Sequence, residues 1–225
     1  MTCRAVLFDL DGTLLDTIED IGDAANAALR QLGFPEHPLE TYRVAVGDGM
    51  EVLARRVLPP ECREAADVAR YVAMVRKEYA TRWAGKTRPF DGIPELLDEL
   101  TARGIPIAVL SNKPEEFTRL CVEHLLPRWR FGAVVGQSAR LPTKPDPAGA
   151  LQIAAQLGCV PAEVLYLGDT NTDMRTAVAA GMFPAGALWG YRSRDELLAH
   201  GAKALVERPR DLLGLLDAVP RCPGR

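Results

Sequence analysis

Apolar positions along this chain follow two patterns. Short apolar or β-branched runs end abruptly in polar residues at Ala5–Phe8, Ile105–Leu110, Ala133–Val135, Val164–Leu167 and Ala185–Leu188, with Ala204–Val206 as an edge candidate. Such runs predict buried strands. Between them, apolar residues recur three and four apart and predict helices. Ile93–Arg103 turns Ile93, Leu96, Leu97 and Leu100 inward and stops at Gly104. Glu115–Leu125 follows Pro114, which suits a first helical position. Further helices are expected from Lys144-Pro145-Asp146-Pro147 to Gly158, over Thr172–Ala180, Ser193–Ala199 and Pro209–Val219. Strand and helix alternate, so the expected fold class is α/β, with a doubly wound parallel sheet and right-handed crossovers.

The interval 16–88 breaks this alternation. Asp16-x-x-Glu19 has capping-box spacing, and Ile18, Ile21, Ala25, Ala28, Leu29 and Leu32 then recur at helical spacing up to Gly33. Leu39–Val46 predicts a second helical piece, broken by Gly47-Asp48-Gly49. Met50–Leu58 predicts a third, ended by Pro59-Pro60. Glu61–Trp83 carries Ala65, Val68, Val72, Val75 and Tyr79, a long helix with room for one break. An all-helical stretch of this length exceeds a simple crossover. It is expected to form an inserted helical cap domain, residues 16–88, on an α/β core made of 1–15 and 89–225.

Composition narrows the class. A chain of 225 residues, 48% hydrophobic and 25% charged, suffices for one core and a smaller second domain. A net charge of -3 gives no nucleic-acid footprint. Five cysteines, at 3, 62, 121, 159 and 222, form no C-x-x-C, and their odd number suits a reducing compartment. His37, His124 and His200 are dispersed and make no zinc cluster. No signal peptide and no long apolar span is apparent, so a cytoplasmic protein with no membrane partner is expected.

The candidate chemistry lies at strand ends. Asp9 and Asp11 follow the first strand, two residues apart, and point the same way if the strand continues. Gly12 lets the chain leave sharply. Like-charged carboxylates at the carboxyl end of a parallel strand call for a hard cation, Mg²⁺. Three further ends carry Ser111-Asn112, Lys144 in a Leu-Pro-Thr-Lys-Pro loop, and Gly168-Asp169-Thr170-Asn171-Thr172-Asp173. Any one of these reads as ordinary solvated loop. Carboxylates, a hydroxyl and a lysine on one sheet edge suit phosphoryl transfer, which needs positioning and neutralised oxygen charge. A lysine neutralises phosphate, a hydroxyl and backbone N–H groups hold its oxygens, an aspartate serves as covalent nucleophile, and a second carboxyl moves the proton.

Asp9-x-Asp11-Gly12-Thr13-Leu14, Ser111 in S-N-K, Lys144, and Gly168-Asp169-x-x-x-Asp173 closely resemble, in order and spacing, the four motifs of the haloacid dehalogenase-like hydrolases, a superfamily dominated by phosphatases. The resemblance implies a Rossmann-like core with its cap between the first two motifs. It implies Asp9 as nucleophile and Asp11 as general acid/base. It implies Mg²⁺ held by Asp9, the backbone carbonyl of Asp11, and Asp169, with Asp173 orienting behind. Ser111, Asn112 and Lys144 are then expected on the phosphoryl group, and Thr13 at the acid/base loop.

A finer resemblance joins D-L-D-G-T-L-L-D-T, Arg43-Val44-Ala45-Val46-Gly47-Asp48-Gly49, S-N-K-P and G-D-T-N-T-D-M-R-T-A-V-A-A-G-M to the phosphoglycolate phosphatases. It implies 2-phosphoglycolate as substrate. Arg43 is a candidate clamp for its carboxylate, offsetting the charge of Asp48. The expected partners are a small phosphorylated metabolite and, at most, a second copy in a homodimer. Rival readings are another phosphatase or phosphomutase acting on a sugar phosphate or pyrophosphate, and a non-catalytic phospho-acceptor or binding module. Phospho-acceptor receivers are much shorter and lack a cap. A dehalogenase lacks the second aspartate present here as Asp11, and a phosphonate hydrolase needs a cap lysine such as Lys77 or Lys86. Neither G-x-x-x-x-G-K-[ST] nor a post-strand G-x-G-x-x-G is present.

Overall fold

The protein is described from a computed structural model over residues 3–217. Its central sheet contains β1 (Ala5–Phe8), β4 (Ile107–Pro114), β5 (Ala133–Gln137), β6 (Val164–Gly168), β7 (Phe183–Ala187) and β8 (Ala204–Val206). The strands are all parallel, in the order β5-β4-β1-β6-β7-β8. β1 is paired on both sides: Val6 with Ile107 and Leu165, Phe8 with Val109 and Leu167. The chain builds outward to β5 and then returns to β6 on the other flank of β1. That reversal opens a crevice at the carboxyl ends of β4, β1 and β6.

Both faces of the sheet are covered, which accounts for the unbroken apolar runs. Val6 and Phe8 pack with α5 (Ile93–Ala102), α6 (Glu115–Leu125) and α10 (Asp211–Asp217). Ala5 and Leu7 face the opposite way, with α7 (Ala148–Gln156) and α8 (Asn171–Ala179). A short α9 (Arg194–Ala199) connects β7 to β8.

The helical stretch comprises α1 (Ile18–Gln31), α2 (Leu39–Ala45), α3 (Met50–Val57) and α4 (Ala65–Tyr79). It has its own apolar cluster around Tyr42 and Tyr71, joined from the sheet side by Phe117 and Tyr191. The Tyr71 hydroxyl donates to the Ala25 carbonyl at 3.0 Å and that of Tyr42 to Asn26 Oδ1 at 2.5 Å, so neither buried phenol is left unsatisfied.

Several boundaries differ from the sequence reading. The long helix expected at Glu61–Trp83 is a 3-10 turn, Pro60–Cys62, followed by α4. β4 starts at Ile107 and runs on through Ser111–Lys113 to Pro114, with a register shift against β5 after Leu110. β7 begins two residues earlier than expected, where Phe183 pairs with Leu165. An unexpected antiparallel ribbon joins β2 (Leu15–Asp16) to β3 (Arg88–Pro89); two rungs are too short to show alternation. Beside it, buried Asp20 accepts hydrogen bonds from Lys86 N, Thr87 N and Thr87 Oγ1, at 2.7–2.9 Å for its Oδ2. The expected end of α10 at Val219, and Cys222, lie outside the described residues. Within them, Cys3, Cys62, Cys121 and Cys159 are free thiols. No described helix is long and apolar enough to cross a membrane.

Candidate active site

β1 delivers Asp9 and the turn behind it. Asp9 N donates to Leu167 O at 2.9 Å, tying the ends of β1 and β6. The chain then folds back, with Thr13 N, Leu14 N and Leu15 N all donating to Leu10 O. Gly12 sits at φ +87°, and a Cβ there would lie 2.4 Å from Asp169 Oδ2. Both backbone and neighbour therefore require glycine.

β6 delivers Asp169 and leads into α8, capped by Thr170. Thr170 Oγ1 accepts from Asp173 N at 3.3 Å, while Thr170 N donates to Asp173 Oδ2 at 3.0 Å, a capping box. The same oxygen accepts from Thr170 Oγ1 at 2.6 Å. Asp173 Oδ1 accepts from Tyr166 at 3.2 Å and Lys144 Nζ at 2.6 Å, so Asp173 is fully engaged. Asp169 accepts from Thr13 Oγ1 and Tyr191 N, each at 2.8 Å. A Cβ on Gly190 would lie 2.2 Å from Asp169 Cβ, so its small size lets this loop close over the carboxylate.

Asp9, Asp169 and Asp173 bring carboxylate oxygens within 4.8 Å of one another, all buried. Lys144 Nζ is 2.8 Å from Asp9 Oδ1 and 2.6 Å from Asp173. The Asp9 contact is an ion pair outside hydrogen-bond geometry, so among the described residues Asp9 Oδ1 is a buried acceptor without a hydrogen bond. Burial, then the Asp173 charge, holds Asp9 well above the carboxylate range, against the pull of Lys144. Burial and Asp173 push Asp169 up to about 7. Burial lowers Lys144, but Asp173 and Asp9 outweigh it and leave this ammonium well above the lysine range. Three carboxylates against one ammonium, with an orphaned acceptor among them, fit a hard divalent cation.

Asp11 faces elsewhere. Its Oδ1 accepts from Lys113 Nζ at 2.7 Å, and that ammonium lies 4.6 Å from the centroid of the Tyr79 ring. Burial lowers Lys113, but Asp11 and Tyr79 outweigh it and hold it well above its ordinary range. Asp9, Asp11, Ser111, Asn112 and Lys113 line one side of a cavity of about 70 Å³. Ile21, Val46, Met50, Leu53 and Val75 from the helical stretch line the other, with Tyr79 and Phe117.

The remaining expected residues take other places. Thr13 is wholly buried and donates to Asp169 instead of lining the cavity. Asn112 lines it, but its Nδ2 donates to Gly47 O and Lys144 O, and its Oδ1 accepts from Lys144 N. Asn112 therefore latches the Gly47 loop and fixes the Lys144 backbone. Ser111 Oγ accepts from Lys113 N at 3.2 Å. Lys144 lies behind Asp9, outside the lining. Arg43 is also outside it: its guanidinium lies 5.9 Å from the Tyr191 ring centroid. Asp48 does not face the cavity either; it accepts from Thr172 Oγ1 and pairs with Arg56 at 2.6 Å. Lys113, Tyr79 and Tyr191 carry no assignment from sequence. Only the lysine had a visible signal, as the residue completing S-N-K.

The family model for haloacid dehalogenase-like hydrolases matches residues 6–187. A phosphoglycolate phosphatase of Aquifex aeolicus is 34% identical over 214 residues, 95% of this chain and 97% of the relative. An N-acetylmuramic acid 6-phosphate phosphatase of Pseudomonas aeruginosa is 34% identical over 222 residues, 96% of each chain. A crystal structure from Lactobacillus delbrueckii subsp. bulgaricus superposes with a TM-score of 0.88 at 30% identity, covering 96% of this chain and 99% of that one.

Proposed function

The chain belongs to the haloacid dehalogenase-like hydrolase family, and from that premise we propose that this phosphatase hydrolyses 2-phosphoglycolate to glycolate and phosphate through an aspartyl-phosphate on Asp9. The observation that carries the reading is the buried Asp9–Lys144–Asp173–Asp169 cluster beneath a small cavity that also holds Asp11.

A carboxylate oxygen of Asp9 attacks phosphorus, and the bond from phosphorus to the ester oxygen breaks. Protonated Asp11 gives its proton to that leaving oxygen. As a carboxylate it then takes a proton from water, whose oxygen attacks phosphorus and releases Asp9. Lys144 holds Asp9 in place by charge, and Ser111, which lines the cavity, offers its hydroxyl to the phosphoryl oxygens. Asp9, Asp169 and the Asp11 backbone carbonyl would hold Mg²⁺, which when bound removes the repulsion between a carboxylate nucleophile and a phosphate dianion. Asp173 orients Lys144 and, through its bond from Thr170 N, completes the capping box of α8.

Residues 16–88 act as a cap domain over the 1–15 and 89–225 core, and supply the apolar wall that excludes water. Their separate apolar cluster and the shared ribbon of exit and return support this division. The scattered free thiols support a cytoplasmic setting. A cavity of about 70 Å³ favours a small leaving group over a sugar. The relative named for N-acetylmuramic acid 6-phosphate supports a larger carboxylated substrate as the second reading.

Phosphate release decides between them. The panel is 2-phosphoglycolate, N-acetylmuramic acid 6-phosphate, glucose 6-phosphate and pyrophosphate, with Mg²⁺ and after chelation. The highest kcat/KM is expected for 2-phosphoglycolate, with turnover lost on chelation and regained with Mg²⁺. A clear preference for another member, or full turnover in metal-stripped protein, overturns the reading.

A further inference from the structure

The phosphoryl machinery is common to all monoesters, so selection of a carboxylated one requires a cation facing the leaving group. Among the described residues lining the cavity, Lys113 is the only cation. The other nearby cations are paired or lie outside the lining. Lys144 pairs with Asp9 and Asp173. Arg56 pairs with Asp48. Arg192 donates to the carbonyls of Arg43, Val44 and Val46. Arg43 lies over Tyr191.

Lys113 is buried yet unsaturated. An ammonium has three donors, and among the described residues its one hydrogen-bond acceptor is Asp11. Tyr79 lines the same cavity with the Lys113 ammonium over its ring, and among the described residues its buried hydroxyl has no hydrogen-bond partner. Two buried polar groups with unmet capacity, adjacent at one cavity, are costly unless a ligand completes them.

Resting on the reading of a carboxylated substrate, we propose that Lys113 and the Tyr79 hydroxyl form the receptor for the leaving-group carboxylate. Asp11 holds this receptor in the free enzyme. When substrate enters, its carboxylate takes the place of Asp11 on Lys113, and Asp11, released from the ammonium, takes up a proton from solvent as it turns toward the leaving oxygen. An ester without the carboxylate provides no replacement partner, so the Lys113–Asp11 pair must be broken uncompensated. Recognition and deployment of the proton donor are thereby one event.

The test measures kcat and KM for 2-phosphoglycolate and for 2-hydroxyethyl phosphate, which replaces the carboxylate with a neutral group. Wild type, Lys113→Met, Lys113→Arg and Tyr79→Phe are compared, with folding checked by circular dichroism and urea midpoint. In Lys113→Met the ratio of kcat/KM between the two substrates is expected to fall roughly 10- to 100-fold, the scale of a lost charge-assisted hydrogen bond. Lys113→Arg should recover part of that ratio. Tyr79→Phe, which removes one oxygen and is compatible with the fold, should lower it roughly 3- to 10-fold. Equal losses on both substrates would make Lys113 a positioning residue for Asp11 and overturn the receptor. An unchanged ratio in both Lys113→Met and Tyr79→Phe overturns it as well. A wild type that turns over the two esters equally overturns the substrate reading itself, and the receptor with it.

Discussion

Lys144→Met isolates the charge balance beneath the nucleophile. Methionine keeps most of the stem, so the substitution chiefly removes an ammonium 2.6 Å from Asp173 and 2.8 Å from Asp9, with its hydrogen bond to Leu110 O at 3.1 Å. Removing one partner of a buried ion pair costs about 3–5 kcal/mol. In a chain of this size that lowers Tm by roughly 6–20 °C. The loss should depend on pH. Asp9 and Asp169 are raised in the folded protein, so between the ordinary carboxylate value of 3.8 and about 7 for Asp169 the native state binds more protons than the unfolded state. Stability of metal-free protein then falls as pH rises through that window. Without Lys144 the carboxylates repel with nothing between them, and the fall steepens. Urea unfolding in a chelator at pH 5 and pH 8 should give a larger deficit at pH 8, as a shift in midpoint at constant m-value. Mg²⁺ should recover more of it at pH 8 than at pH 5. An equal deficit at both pH values would refute the charge argument and assign the loss to packing against Tyr166.

Asp9→Asn should leave the fold intact and abolish trapping of labelled phosphate on the protein during turnover; label recovered on another residue contradicts Asp9 as nucleophile. Gly190→Ala pushes a methyl toward Asp169, with its Cβ 2.2 Å from that side chain, so the Mg²⁺ concentration for half-maximal activity should rise about tenfold, one lost ligand hydrogen bond being worth about 1.5 kcal/mol. An unaltered Mg²⁺ titration would show that the loop relaxes without disturbing Asp169. Arg43→Ala removes a contact with the Tyr191 ring worth about 0.5–1 kcal/mol, so kcat/KM should fall less than tenfold and equally for carboxylated and neutral esters. A loss confined to 2-phosphoglycolate would restore Arg43 as a clamp.

The sheet was legible because strands buried on both faces need no alternation: Ala5–Phe8 and Val164–Leu167 are continuous apolar runs, the first followed directly by Asp9 and the second, after Gly168, by Asp169. The meeting of Asp9 and Asp169 was legible because parallel strands deliver their ends to one edge; that Asp173 joins them while Asp11 turns to Lys113 was not. Side-chain direction was not. Arg43 adjoins the Gly47 break in sequence, but in α2 it turns toward Tyr191, a residue no local pattern connects to it. Asp48 reads as a free charge until Thr172 and Arg56 are brought to it by the fold. Lys113 was unassigned because Ser111-Asn112 marks a strand end; β4 instead continues through these polar residues and carries the lysine into the cavity.

The two-rung ribbon at Leu15–Asp16 and Arg88–Pro89 has a consequence for how this architecture tolerates change. Exit and return occupy adjacent rungs, so the intervening helices are a loop closed at one point. The entropy of closing a loop grows only with the logarithm of its length, about 0.6 kcal/mol per doubling for a flexible chain. Lengthening, shortening or exchanging that loop therefore costs the sheet almost nothing while the ribbon holds. Asp20 reinforces the same closure through the Lys86 and Thr87 backbone. The Asp9, Asp169 and Asp173 cluster sits on the sheet side of this junction and most of the apolar wall of the cavity on the other. One sheet edge can in this way be refitted for a new substrate by replacing a single segment, without rebuilding the strands that hold its carboxylates.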